Sequence, residues 1–467
     1  MRYLSFLAEI LHNRFHEEKG LRTPSLAFQT VQVFVTRIGG LGLALLSNLA
    51  LTRWLGISAY GEFVYILAWV TILAIPGEGM GTLVVRETAF ARRREDEAAF
   101  AGMMRWSLTN IAWMSAVLAL FGFVPLSFHA GGLTARPGAA ILLGLAGVPF
   151  VCLQTLAGSV FRGSRRVELT VLLNEIVSPG LLAAWAGGCL LFGIGASAAM
   201  ALGGRLAALI VVLISYSLLL PRLGLHWRWQ TGSPAQVTDW RTSMLSLTLL
   251  KGVNTIVARL PVLILGLMIG PEPVALYSLA SRIADTVVFI LYIMTMTTGP
   301  QLAELHAKQD RRGMQQLITH STVAISAWAI PVALALIVAG RWFLSWFGPS
   351  FVAGYPVLVV LVIGQTVNAI TGTIGVVLTM SGLERLVLKF HSYGLALTAA
   401  FCAALIPVWG PVGAAAGSAA ANIFWNIALA VQLYRRLGIS SCFCAPGFFR
   451  RGDTTKAKVL ENTNKLH

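Results

Sequence analysis

Charge is what this chain has least of. Only 12% of its 467 residues are Asp, Glu, Lys or Arg, about half the share of an ordinary soluble domain. Acids are the scarcer sign, 19 against 35 Lys and Arg. Cysteines number five, which makes no disulfide framework. Three of them (Cys152, Cys189, Cys402) lie in apolar runs, where a thiol packs as a small hydrophobe. Cys442-Phe-Cys444 has no histidine or further cysteine nearby to complete a metal site. The eight histidines fall mostly in loops or at helix ends, with no pair at metal-binding spacing. There is no phosphate-cradling Gly-x-x-x-x-Gly-Lys run, so nucleotide hydrolysis is not expected. Neither a metal nor a cofactor is expected. What fills the chain instead is apolar: 56% hydrophobic residues and a mean hydropathy of +0.74. That excludes a soluble enzyme and a disordered chain, and leaves a protein whose main solvent is lipid.

A spanning helix needs roughly 20 apolar residues. Twelve such segments are expected, at about 29–50, 62–84, 106–126, 139–160, 169–192, 195–219, 243–268, 274–299, 318–339, 353–380, 388–408 and 412–434. No cleavable signal peptide is expected, because the first 25 residues hold no continuous apolar core. Tyr3, Leu4, Leu7, Leu11 and Phe15 recur instead at helical spacing, which predicts an amphipathic helix lying on the membrane surface. From about Arg450 the tail is polar and expected to be disordered. Basic residues fix the orientation. With the N-terminus placed in the cytoplasm, 27 Lys and Arg fall inside and three (Arg53, Arg136, Arg341) outside, with five within the spans. So strong a bias predicts cytoplasmic termini and an even number of spans, and it accounts for the +16 charge without nucleic acid.

The two halves repeat. Gly56 and Gly270, Gly61 and Ala275, and Phe63 and Tyr277 correspond at an offset of 214 residues. Six spans separate the copies, so the repeats are parallel, related by an axis along the membrane normal. The expected fold is an all-α integral membrane protein, two six-helix bundles around a central cavity. Its parts are a cytoplasmic amphipathic segment (1–28), an N-terminal bundle (29–220), a cytoplasmic linker (221–242), a C-terminal bundle (243–434) and a basic cytoplasmic tail (435–467).

A series of phrases then becomes recognisable in order along the chain. These are Arg53-Trp-Leu-Gly56-Ile-Ser-Ala-Tyr-Gly61-Glu-Phe63, Gly77-Glu-Gly-Met-Gly81, Val85-Arg86-Glu87, Gly270 to Arg282, Gly299-Pro300, Trp346-Phe-Gly-Pro-Ser-Phe-Val-Ala353 and Ile406-Pro-Val-Trp-Gly-Pro-Val-Gly-Ala-Ala415. The series resembles the polysaccharide-export family, the Wzx-like O-antigen and exopolysaccharide flippases of the MOP transporter superfamily, over nearly the whole chain. The resemblance implies passage of an undecaprenyl-pyrophosphate-linked oligosaccharide from the cytoplasmic to the periplasmic leaflet of a bacterial inner membrane. It also implies membrane lipids as partners, alongside a polysaccharide polymerase and chain-length or export components. One departure is visible. Many relatives carry Asp in the seventh span, where this chain reads Ala258-Arg259-Leu-Pro261.

A charge at the bilayer centre costs about 2.5–3.5 kcal/mol, so charges within spans face a cavity or a partner. Arg37 and Lys251 are 214 residues apart and hold equivalent places in the two repeats. Thr248, Lys251, Thr255 and Arg259 line one face of the seventh span, and Gln29, Arg37 and Asn48 a similar stripe of the first. Arg37, Asn48, Lys251, Thr255, Arg259 and Arg53 are therefore the candidate substrate-binding residues; Arg53 is either an exit contact or a snorkelling anchor. Glu78, Glu175, Arg205, Arg282 and Asp285 are the candidate ion-coupling residues or charge pairs. Arg282 and Asp285, at i,i+3, are placed to neutralise one another, and Arg205 to pair with Glu175. Two rival functions remain. One is a multidrug or small-molecule exporter of the same superfamily, whose often cationic substrates suit five buried cations poorly. The other is a membrane polysaccharide polymerase or ligase, which a longest outside loop of about a dozen residues leaves little room for.

Overall fold

The computed structural model describes residues 26–94, 97–128, 137–223 and 234–441. The expected surface helix around Tyr3–Phe15, Cys442, Cys444, Arg136 and the tail from Arg450 lie outside the described residues, as does the side chain of Gln29. All the described regular structure is helical. A spanning segment in lipid must satisfy its backbone internally, and a helix does so within one segment.

We number the helices α1 (Leu26–Leu73), α2 (Ile75–Arg94), α3 (Glu97–Phe128), α4 (Pro137–Gly163), α5 (Val167–Val171), α6 (Ser178–Leu191), α7 (Ala198–Leu219), α8 (Pro234–Met268), α9 (Pro271–Ala284), α10 (Phe289–Ala307), α11 (Arg311–Phe347), α12 (Tyr355–Thr371), α13 (Ile374–Met380) and α14 (Glu384–Leu437). Among the described residues nine of the helical segments are long and apolar enough to cross a membrane, or ten if the bent pair α9 and α10 is one span. The protein is thus a multi-pass membrane protein. Its outer surface suits lipid: Leu191 is 85% exposed and Val338 84%.

Where the sequence expects two spans joined by a hairpin, α1 and α14 are each one long helix with a kink. Gly56 (φ 71°, ψ −177°) breaks α1 and Gly410 (φ 55°, ψ −130°) breaks α14. Both backbones sit where a Cβ is strained and glycine is not. Gly270, which caps α9, also has a positive φ, of 127°. The Trp54 indole donates to the Ile194 carbonyl at 3.0 Å, and Gly410 packs against Ile269. These contacts gather the bends on one face, called here the Gly56 face. On the opposite, Arg86 face, Arg86 Nη2 donates to Ser243 Oγ at 3.3 Å and the Trp106 and Trp240 rings stand 5.8 Å apart.

The halves are sewn together by close backbone approach. α1 packs on α9 and α2 on α8. A Cβ on Gly61 would fall on the Pro271 carbonyl, and one on Gly79 on the Thr248 side chain and backbone. Small residues at such crossings let helices in lipid gain dispersion contact that larger side chains would prevent. One contiguous apolar core runs through both halves, from Leu51 to Ala415.

Candidate functional site

Three breaks in helical geometry position the polar side chains. The first is a π-helical turn at Leu172–Val177, between α5 and α6. Such turns insert a residue and swing the side chains out of α-helical register. This one carries Glu175, whose Oε1 lies 3.3 Å from Arg37 Nη2 on α1. Gly40, one turn along α1, packs on the Glu175 backbone, which is what lets the two helices come so near. The neighbouring Asn174 accepts from Gln154 Nε2 at 2.9 Å and from the Tyr216 hydroxyl at 3.2 Å.

The second break lies between α9 and α10, whose axes bend by 53°. Asp285 caps α9 at this break. Its Oδ1 accepts from Gln365 Nε2 on α12 at 2.8 Å, and Asn368 Nδ2 donates to the same glutamine's Oε1 at 3.3 Å. The Thr286 carbonyl accepts from the Trp328 indole at 3.0 Å as well as from the Phe289 N–H. Discontinuous spans of this kind expose backbone and side-chain polar groups only where they line a cavity. The third break, at Gly372 (φ 76°) between α12 and α13, packs on Thr322.

Arg282 is the hub of the charged groups. Its side chain is exposed, yet it lies within electrostatic reach of Tyr60 on α1, Arg205 on α7, Arg259 on α8 and Asp285. The groups within its reach come from helices of both halves. Three guanidiniums and one carboxylate leave this cluster with an excess of two positive charges.

Several pairings differ from those the spacing suggests. Arg205 and Glu175 do not pair: the π turn delivers Glu175 to Arg37, and Arg205 Nη1 donates to Ser178 Oγ at 3.3 Å. No Arg282–Asp285 contact within 4.0 Å is present among the described residues, because Asp285 sits where α9 ends and turns to Gln365. The repeat-related cations differ in setting. Arg37 has its carboxylate, whereas Lys251 is exposed and has no ion pair among the described residues. Thr255 and Arg259 are half-buried beside it, but Thr248 leaves this stripe for the seam with Gly79. Asn48 is an internal tie: it donates to the Ala44 carbonyl at 2.7 Å and accepts from the Tyr60 hydroxyl at 2.9 Å. Arg53 crosses to the other half, its Nε donating to the Trp346 carbonyl at 2.6 Å. Glu78 is exposed on α2, between Gly77, which packs on Cys152, and Gly79.

Gln365 and Asn368 escaped the sequence reading, which weighed uncharged polar residues only on the first and seventh spans. Their signal was two amides at i,i+3 in the otherwise apolar α12, a costly placement in lipid unless partnered. The hydrogen bonds around Asp285 give an expected result. Asp285→Asn keeps shape and the Gln365 contact, so membrane abundance should stay near wild type while transport falls below about a tenth. The Arg282→Ala/Asp285→Ala double variant should not recover transport, because the two do not form a contact pair. Quantitative blotting beside a transport measurement checks both; full transport by Asp285→Asn removes that residue from the site.

No curated protein matches this chain. Solved structures do. An inward-facing multidrug resistance MATE family transporter of the MOP superfamily superposes with a TM-score of 0.71 at 14% identity, covering 86% of this chain and 98% of that one. The lipid II flippase MurJ, in an inward closed conformation, gives 0.69 at 12% identity, covering 86% and 87%. A MOP superfamily transporter from Pyrococcus furiosus, described as having a binding pocket of reverse polarity, gives 0.62 at 12% identity, covering 90% and 96%. At these identities the likeness establishes the fold alone, which this chain shares with these MOP superfamily transporters. Residues 30–306 match the profile of the family described as polysaccharide biosynthesis protein, more than half of the 467 residues, and the chain belongs to that family.

Proposed function

We propose that the protein is a flippase of the bacterial inner membrane that carries an undecaprenyl-pyrophosphate-linked oligosaccharide, an O-antigen or exopolysaccharide repeat unit, from the cytoplasmic to the periplasmic leaflet. The observation that carries this reading is that Arg282 lies within electrostatic reach of Arg205 from the first half and of Arg259 and Asp285 from the second. A diphosphate brings two or more negative charges, and guanidiniums bind it through charge-assisted, often bidentate hydrogen bonds. Lys251 and Thr255 extend the same surface. A cluster with excess positive charge disfavours the cationic substrates of a multidrug exporter. Counting each kinked helix as two spans and the bent pair α9 and α10 as one gives twelve, in two bundles that rock about the site. The Gly56 face is then periplasmic and both termini cytoplasmic. An ion gradient drives the cycle, with Asp285, Glu78 or Glu175 as the coupling carboxylate.

The test is reconstitution in liposomes with a fluorescent undecaprenyl-pyrophosphate-linked sugar and a membrane-impermeant quencher. Wild-type protein should move the probe between leaflets; an Arg205→Ala/Arg259→Ala/Arg282→Ala variant, present at similar level, should not. Failure of the wild type under any imposed ion gradient would sink the reading. Topology is checked separately. Reporter fusions after Arg94 and Arg312 should read cytoplasmic, and one at Gly348 periplasmic. A periplasmic signal at Arg312 would contradict the charge bias and the span count together.

A further inference from the structure

The Arg37–Glu175 pair is incomplete in an informative way. A guanidinium offers five N–H donors in a planar fork that suits two oxygens at once. Here Glu175 meets Nη2 alone, at 3.3 Å. Arg37 Nε is buried and has no hydrogen-bond partner. A buried, unpaired donor on a cation is costly, so Arg37 Nε is a donor still in want of an acceptor. The pair is not sealed either: the Arg37 side chain is 22% exposed and that of Glu175 35%. Partly open charges within spans face water and not lipid.

The other groups around Glu175 do not replace Arg37. α1 contributes Arg37 itself and Gly40, whose missing side chain admits the Glu175 backbone. α7 contributes Arg205, which is engaged with Ser178. Asn174 is occupied by Gln154 from α4 and Tyr216 from α7. Without Arg37, Glu175 has no contact cation among the described residues.

We propose that Glu175 is a displaceable counter-ion that holds the place of the substrate's phosphate on Arg37, so that binding a diphosphate draws one proton onto Glu175. The inference rests on the flippase reading and concerns how the site binds its substrate; it leaves the driving ion to Asp285 or Glu78. On binding, the Arg37 N–H···carboxylate contact breaks and N–H···O–P contacts form at Nη2 and Nε. The carboxylate left behind is an unpaired charge within the span, and hydronium from the adjoining water neutralises it to the acid. On release the phosphate leaves, Glu175 returns its proton to water, and the ion pair re-forms. The π turn fits the task, since it sets Glu175 toward Arg37 without a bidentate lock.

The test uses full-length purified protein in nanodiscs with farnesyl pyrophosphate as the probe. Binding is measured calorimetrically in two buffers of different protonation enthalpy, which reports protons taken up. Wild-type protein should take up close to one proton per diphosphate bound. Glu175→Gln should bind at least about tenfold more tightly, its competitor being gone, with no proton uptake at that step. Arg37→Gln/Glu175→Gln, which leaves no lone charge and so guards against misfolding of a single variant, should lose the tighter binding. Equal proton uptake by wild type and Glu175→Gln overturns the proposal while leaving the flippase reading intact. Weaker binding by Glu175→Gln overturns it in the same way. No binding by the wild type overturns both.

Discussion

Arg282→Ala is expected to cut surface polysaccharide at least about tenfold while the protein persists in the membrane. Arg282 is in electrostatic reach of Arg205 from the first half and of Arg259 from the second. Removing it lowers the repulsion among the remaining guanidiniums, so folding should not suffer. The loss falls on the anion instead, which forfeits its central partner. A charge-assisted pair of this kind contributes about 1.5–3 kcal/mol, enough for a ten- to hundredfold loss of affinity. Arg282→Glu should be worse, reducing transport to background, because the cluster's excess positive charge then disappears. Arg282→Lys should retain part of the activity, keeping charge and losing the fork. Immunoblotting of membranes beside measurement of cell-surface polysaccharide checks the series. Normal export by Arg282→Ala would dismiss the arginine cluster as the substrate site.

Gly61→Val should have an equally large effect by a different route. A Cβ at Gly61 lands on the Pro271 carbonyl, and backbone cannot give way as a side-chain tip can. Overpacking usually costs 1–3 kcal/mol where neighbours can shift; here the relief is for the halves to part. Because the contact lies on the Gly56 face, the variant should stay open on that side. A cysteine replacing Ala59, in a cysteine-free background, should then react several times faster with a membrane-impermeant maleimide, and export should cease. Gly79→Val, whose Cβ meets Thr248, should leave that label unchanged or slower. Gly61→Ala gives a milder form should the valine variant fail to accumulate. Unchanged labelling and export in Gly61→Val would show that this contact does not close the molecule.

The all-helical, multi-pass character was legible in the sequence because lipid imposes a simple rule, a run of apolar residues of fixed length, though nine or ten candidate spans stand among the described residues where twelve were expected. The break at Gly56 was legible too, since a glycine between two such runs marks a bend, though the chain there kinks within one long helix. The partners of the charges were not. Glu175 sits on a π turn that has no compositional signature, and its choice of Arg37 over Arg205 depends on Gly40 meeting the Glu175 backbone. The i,i+3 rule suggested an Arg282–Asp285 pair, but the rule assumes a continuing helix, and α9 ends at Asp285. Internal symmetry singled out Arg37 and Lys251. It could not show that one is neutralised and the other open, because equivalent places in two copies need not have equivalent neighbours. Gln365 became visible only when α12 was brought beside the break.

The bridge from Arg53 to Trp346 ends on a main-chain carbonyl. Every amino acid supplies that oxygen, so position 346 is free to drift while the bridge persists. Replacing Trp346 by leucine or alanine should leave the Arg53 bond in place, and a substitution scan of α11 would overlook it. Homologues would carry no trace of the bond as paired substitutions, since only one of its ends is written in a side chain. The genetic burden of the connection falls on Arg53 alone. A drifting residue at 346 can therefore retune the surface around this joint without loosening it.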